Sequence, residues 1–142
     1  MKTKDNQLIQ ILKLNSRISV TDLAKELGVS RTTAQQKLNR LEENNIITGY
    51  TVKLNENYIT SRIQAHINIK TDPNHTSHIV SSLEKISAIE LLQSVSGNMD
   101  LIAIVDTESS SELDQLLDEI SKIPGIISTE TALVLSTKFD RR

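Results

Sequence analysis

Cysteine and tryptophan are absent from the sequence, and aromatic residues are scarce, with one Phe and two Tyr. Without cysteine there is no disulfide framework, no thiolate metal site and no cysteine nucleophile, which suits a reducing cytoplasm. Few aromatic side chains argue against the base-stacking surfaces that bind single-stranded nucleic acids. The chain also lacks an apolar run of about 18 residues and begins with charged residues, so we expect a cytoplasmic protein with no membrane span and no signal peptide.

Recognisable catalytic and cofactor motifs are missing as well. The sequence has no glycine-rich dinucleotide or phosphate loop and no Gly-x-Ser-x-Gly motif. His75 and His78 have a spacing that could join one metal ion, but two ligands of this kind are common by chance, so we expect a solvated helix and no metal site. If the protein were an enzyme, mutation of Asp100 or His66 should abolish its turnover. Because the motifs are missing, we expect no enzyme and no cofactor.

Charge is divided unevenly along a chain whose length of 142 residues allows one domain or two small ones. Residues 1–60 carry nine Lys and Arg against six Asp and Glu, a formal charge of +3. Residues 61–142 carry seven against twelve, a formal charge of −5. This asymmetry favours a first half that approaches a polyanion and a second half that avoids one.

Three helices are predicted in the first half. Apolar residues recur at helical spacing from Thr3 to Asn15, Ser19 can cap a second helix that stops at Gly28, and Ser30 can cap a third over Arg31 to about Asn44. The second and third helices and the tight turn between them predict a helix-turn-helix, a motif that places its last helix in the major groove of DNA.

The third helix would present hydrogen-bonding and cationic side chains to solvent. At about 100° per residue, Ala34, Leu38 and Leu41 point inward. Gln can pair with adenine, Arg with guanine or phosphate, and Thr with a thymine methyl group. A merely solvated helix face is the alternative, and the turn at Gly28 favours DNA. The candidate DNA-binding residues are Ser30, Arg31, Thr32, Thr33, Gln35, Gln36, Asn39 and Arg40.

The chain leaves the helical half through a β-rich stretch. Asn45 could take the left-handed conformation that ends a helix, and Tyr50 to Asn55 should form a strand or an extended hinge. We predict a helix-turn-helix domain over residues 1–52, a linker over 53–61 and a second domain over 62–142.

The second half predicts a small α/β domain. Strand-like alternation over 62–70 and helical spacing over 79–86 are followed by strands 89–96 and 99–106, a helix over 113–120 and a last strand from 126. The order βαββαβ predicts a ferredoxin-like antiparallel sheet with two helices on one face. The fold class is therefore α+β, with an N-terminal helix-turn-helix domain of the three-helix winged type and a C-terminal ferredoxin-like domain.

The open face of the predicted sheet needs a cover. Ile126, Ala132 and Val134 share one parity of the last strand, and Ile127, Leu133 and Leu135 share the other. An apolar sheet covered on one side only would aggregate, so we predict that it packs against a second copy of the chain.

Four stretches, in this order and spacing, resemble the Lrp/AsnC family, the feast/famine transcription regulators of bacteria and archaea. They are DNQLIQILKLNSRISVTDLAKELGVS, LNRLEENNIITGY, SGNMDLIAIVD and IPGIISTETALVLSTK. The resemblance implies a DNA-binding helix-turn-helix and a ligand-sensing domain that dimerises through its sheet. It also implies assembly of dimers to tetramers, octamers or larger rings, with an amino acid bound between dimers. The chain departs from the family at Gln36 and Lys37, where a basic pair is usual, and at Asn98 and Met99 of the hairpin.

Gly97 and Asn98 predict a two-residue hairpin turn that pairs Val95 with Asp100. The Asp100 carboxylate could receive the ammonium group of an amino acid, or it could only cap the turn or meet a cation across the subunit interface. The residues alone favour the second reading, and the resemblance favours the first. The candidate effector-binding residues are Ser96, Gly97, Asn98, Met99, Asp100 and Thr131.

These observations predict a transcriptional regulator that binds double-stranded DNA sequence-specifically. A small effector, by resemblance an amino acid, would change its assembly or its operator affinity. The alternative is a protein that senses amino acids or serves as a scaffold through the same sheet dimer, and that shows no DNA shift.

Overall fold

The computed structural model describes residues 3–55, 58 and 61–142. The chain forms two compact units, Met1–Lys53 with Arg141–Arg142, and Leu54–Asp140. Residues 56, 57, 59 and 60 of the predicted linker lie outside the described residues, so the linker stays a prediction. In the described part of the chain, no helix is both long and apolar enough to cross a membrane.

The first unit consists of three helices, α1 (Thr3–Leu14), α2 (Val20–Leu27) and α3 (Arg31–Glu43). Each helix has one apolar side because its apolar residues recur every three or four positions. These sides meet in one core, whose buried members are Leu8, Leu12, Leu23, Leu27 and Leu41.

A tight turn joins α2 to α3. The Ser19 hydroxyl accepts a hydrogen bond from the Asp22 N–H at the start of α2, and the Ser30 hydroxyl accepts one from the Thr33 N–H at the start of α3, both at 3.1 Å. Gly28 lies between them with φ of +66°, a left-handed conformation that costs glycine little. The predicted caps, turn and helix-turn-helix are confirmed.

The chain forms no strand between the end of α3 and residue 55. Asn45 has φ of +54°, so its predicted left-handed conformation is confirmed. Residues 48–55 belong to no strand, so of the two forms predicted for Tyr50 to Asn55 the strand is not formed and the extended hinge stays a prediction. The Tyr50 hydroxyl donates to Glu42 Oε1 at 2.9 Å, which ties the segment to α3. Partial burial and this hydrogen bond raise the pKa of Tyr50.

The second unit is a four-stranded antiparallel sheet with two helices. Its strand order is β2-β3-β1-β4, so the predicted βαββαβ arrangement is confirmed. The elements are β1 (Ile63–Thr71), α4 (Thr76–Glu84), β2 (Ile89–Ser94), β3 (Leu101–Thr107), α5 (Ser110–Ser121) and β4 (Ile126–Leu133), with a short 3-10 turn at Pro73–His75.

One face of this sheet forms a core with α4 and α5. The buried core members are Ala65, Ile67, Ile69, Ile79, Leu83, Leu101, Ala103, Val105, Leu113, Leu116 and Ile120. The opposite face is mixed in polarity. Ile104 pairs with both Leu91 and His66, and His66 pairs with Ala132, so these side chains share the open face.

A β-bulge changes the predicted sides of β4. The pairing of β4 with β1 shifts between Lys70 and Thr71, and Ile126 pairs with Thr71, which is buried. Ile126 therefore packs against the core under the helices, whereas Ala132 stays on the open face. The prediction that Ile126 and Ala132 share a side was wrong, because a bulge inserts one residue and reverses the alternation beyond it.

Candidate DNA-binding helix and effector site

The predicted DNA-binding residues lie on α3 and at its cap. All of them are exposed except Thr33, which is half-buried. Ala34 and Leu41, on the opposite side of the helix, are buried in the helical core. Because the inner side is fixed by packing, the outer side is presented by a rigid helix rather than by a loop.

Hydrogen bonds divide this outer face into engaged and free side chains. The Ser30 hydroxyl donates to Thr33 Oγ1 at 2.8 Å, so both serve the helix cap. Gln35 Nε2 donates to Asn39 Oδ1 at 2.7 Å, one turn further along the same helix. The side chains with no hydrogen bond or ion pair to any described residue are those of Arg31, Thr32 and Gln36.

The Arg40 side chain was predicted to point outward to DNA, but it bonds to a carboxylate of α1. Its Nη2 lies 2.9 Å from each carboxylate oxygen of Asp5 on α1, and Lys37 Nζ lies 3.5 Å from the same carboxylate. The helical angle of an isolated α3 could not show this contact, because it depends on where α1 crosses α3. Asp5 was missed, although its position three residues before Leu8 on the apolar side of α1 was a signal.

The hairpin between β2 and β3 keeps its predicted pairing. The Val95 N–H donates to the Asp100 carbonyl at 3.0 Å, and Gly97 at the turn has φ of +118°. Lys70 Nζ on β1 donates to the Asn98 carbonyl at 3.0 Å. The turn is therefore held against the sheet from the neighbouring strand.

Asp100 completes the hydrogen bonding at the end of β1. Its N–H donates to the Ile69 carbonyl at 2.9 Å, and its Oδ2 accepts from the Thr71 N–H at 2.8 Å. The bond to Ile69 is out of register with the Ile69–Leu101 pair, so β3 begins at Leu101 and not at 99 as predicted. β2 ends at Ser94 and not at 96 as predicted. The other oxygen, Oδ1, accepts no hydrogen bond from the described residues.

A depression of about 680 Å³ lies beside the hairpin. Three of the candidate effector-binding residues line it, Ser96, Asn98 and Met99, whereas Gly97 and Asp100 adjoin these three in the chain. The full lining is Asn68, Ser94, Val95, Ser96, Asn98, Met99 and Ile102. None of these lining side chains carries a charge.

Thr131 is not brought to this depression. It pairs with Ile67, whose side chain is fully buried in the core beneath the helices. Asn68 and Ile102, which line the depression, pair with each other on the opposite face. Because paired residues point to the same side of a sheet, Thr131 faces away from the depression.

The two histidines considered for a metal lie at the start of α4. His75 Nδ1 is 3.4 Å from Asp72 Oδ2, and His78 is exposed. Within the residues that the structure describes, no group of three or more His, Cys, Asp or Glu side chains could hold a metal ion.

Comparison with known proteins agrees with this arrangement. Residues 1–48 match a winged helix-turn-helix DNA-binding family, and residues 64–142 match the Lrp/AsnC ligand binding domain. The HTH-type transcriptional regulator FL11 of Pyrococcus furiosus is 28% identical over 131 residues, which cover 92% of this chain and 87% of FL11.

Two solved structures share the fold. AsnC of E. coli aligns with a TM-score of 0.89 at 24% identity, over 100% of this chain and 97% of AsnC. A transcriptional regulator from Neisseria meningitidis, solved as a complex with L-Met, aligns with a TM-score of 0.88 at 17% identity, over 99% of this chain and 93% of its own.

The helix-turn-helix and the separate ligand-binding domain define a DNA-binding transcriptional regulator. The chain belongs to the Lrp/AsnC family, since that family's ligand binding domain covers more than half of it. This is a family of regulators and not of enzymes.

Proposed function

We propose that the protein reads its operator through the outer face of α3, and that an amino acid with a neutral side chain, bound beside the hairpin, changes its assembly and its operator affinity. The observation that carries the DNA-reading part is the set of unengaged side chains on α3, Arg31, Thr32 and Gln36.

These side chains have the chemistry that base reading requires. Gln36 carries an amide that can bond adenine through two hydrogen bonds, and Arg31 can bond guanine or a phosphate. Thr32 can contact a thymine methyl group. No carboxylate of α3 precedes Glu42, so phosphates are not repelled from the first three turns of the helix.

The depression beside the hairpin supports the effector part. Its neutral walls include the apolar side chains of Val95, Met99 and Ile102. Asp100 Oδ1 would accept the ammonium group of an amino acid, and exposed N–H groups of the turn would receive its carboxylate. None of the lining side chains could form an ion pair with a charged ligand side chain, which favours a neutral one. The relative solved with L-Met is consistent with this class of ligand.

The open face of the sheet supports self-association. Leu91, Ile104 and Ala132 lie together on this face, and a second copy would cover them in a symmetric contact. Asn68 and Ile102 of the depression lie on the same face. A ligand bound there would therefore adjoin the contact between copies and could change its geometry, and with it the spacing of two α3 helices on DNA.

The experiment that tests the DNA-reading part measures fluorescence anisotropy of the DNA upstream of the protein's own gene. Wild type should bind it with an affinity that falls steeply with salt, and Gln36→Ala should weaken binding about 5- to 150-fold, equivalent to about 1–3 kcal/mol. Thr21→Ala, an exposed change on α2, is the matched control. Absence of DNA binding combined with ligand-dependent assembly would instead support the sensing or scaffold alternative.

A further inference from the structure

Asp5 is the only acidic residue that is buried in the described part of the chain. Its side chain on α1 is 7% exposed, and it receives two cations of α3. Arg40 Nη2 lies 2.9 Å from both of its oxygens, and Lys37 Nζ lies 3.5 Å from one. A buried carboxylate with two cations around it draws positive charge towards the protein interior.

This contact determines which cations of the proposed DNA-reading helix are engaged in ion pairs. The cations of α3 are Arg31, Lys37 and Arg40. Asp5 holds the last two, and only Arg31 lacks an ion pair with any described residue. The Lys37 side chain is 18% exposed, whereas that of Arg40 is 45% exposed and is held by the ion pair alone. Neutral amide and hydroxyl groups therefore occupy the middle of the outer face of α3.

We infer that Asp5 is a positioning residue, which withholds Lys37 and Arg40 from DNA phosphates and so limits the part of DNA binding that is independent of sequence. Phosphate contacts are independent of sequence, and each one adds to the salt dependence of binding. Withholding two cations therefore lowers affinity for the operator and for unrelated DNA by similar factors, and lowers the salt dependence of both. The inference rests on the proposed reading of DNA through α3.

The test replaces Asp5 by Asn in the full chain, which removes the negative charge and keeps the size and one acceptor oxygen. Affinities for the upstream DNA and for an unrelated duplex of equal length are measured at several salt concentrations. In Asp5→Asn, the slope of log affinity against log salt should steepen by about one to two for both duplexes, and both affinities should rise by similar factors at low salt. A second change, Asp5→Asn with Arg40→Gln, should return the slope towards wild type.

Asp22→Asn is the matched control, because Asp22 is exposed on α2 and its side chain makes no ion pair with a described residue. It makes the same change in net charge and should leave the slope nearly unaltered. Circular dichroism and thermal unfolding of each variant show that binding is measured on folded protein.

Arg40→Gln with Asp5 retained keeps the inference testable if Asp5→Asn does not fold. A withheld cation makes no phosphate contact, so this variant should keep the wild-type slope. A slope flatter by about one would show that Arg40 contacts phosphate and would overturn the inference. An unchanged slope in folded Asp5→Asn would also overturn it, and would leave the proposed function intact. If wild type does not bind DNA, both fail.

Discussion

Replacing Asp100 by Ala and by Asn separates two roles of its carboxylate. In the free protein, Oδ2 accepts the Thr71 N–H at 2.8 Å, and Thr71 is buried. Asp100→Ala leaves that N–H without its acceptor, which should lower the free energy of unfolding by about 1–3 kcal/mol. Asp100→Asn keeps an acceptor oxygen and should cost less than about 1 kcal/mol.

Binding of the proposed amino acid should depend on the negative charge of Asp100 and not only on its acceptor oxygen. A hydrogen bond between charged groups contributes about 1.5–3 kcal/mol, so Asp100→Asn should weaken L-methionine binding about 10- to 150-fold although the variant is folded. Unfolding is followed by circular dichroism and binding by calorimetry. Asp114→Asn, on the exposed side of α5, is the matched control for the change in net charge. Equal binding by wild type and Asp100→Asn would refute the ammonium assignment, and equal stability of the two Asp100 variants would refute the hydrogen-bond reasoning.

Two further predictions concern the second unit. Gly125→Ala should destabilise the protein by more than about 1–2 kcal/mol in thermal unfolding, because Gly125 has φ of +94° and an added Cβ would lie 2.3 Å from His75 Cβ. Gly49→Ala, with open space around it, should be nearly neutral, and an equal loss in both variants would contradict this reasoning. Ile104→Lys should lower the mass measured by light scattering, because it places a charge on the open face of the sheet. Ser81→Lys, on exposed α4, should leave the mass unchanged, and an unaltered mass in Ile104→Lys would refute the sheet contact.

The sequence predicts the elements well where local chemistry decides. Ser19 and Ser30 cap their helices because a hydroxyl in extended backbone accepts an N–H of the first turn. Gly28 ends α2 because its positive φ strains other residues. Each of these devices acts within a few residues, so it can be recognised without knowing the tertiary structure.

Contacts between distant segments explain what the sequence could not predict. The ion pair of Asp5 with Arg40 joins residues 35 positions apart and depends on how α1 crosses α3. The face of the sheet on which Ile126 lies depends on a β-bulge, and no residue type in the sequence indicates where this bulge forms. Thr131 was predicted to bind the effector, but its pairing with Ile67 turns it towards the helices.

The central claim is that a neutral amino acid bound beside the hairpin controls a DNA-reading helix. The most direct test measures affinity for the upstream DNA with and without saturating L-methionine, in wild type and in Asp100→Asn. We predict that L-methionine changes the wild-type affinity about fivefold or more, and that Asp100→Asn binds DNA equally well but does not respond at the same ligand concentration. The claim would be contradicted if wild type does not bind the DNA, or if L-methionine changes the DNA affinity of Asp100→Asn as much as that of wild type.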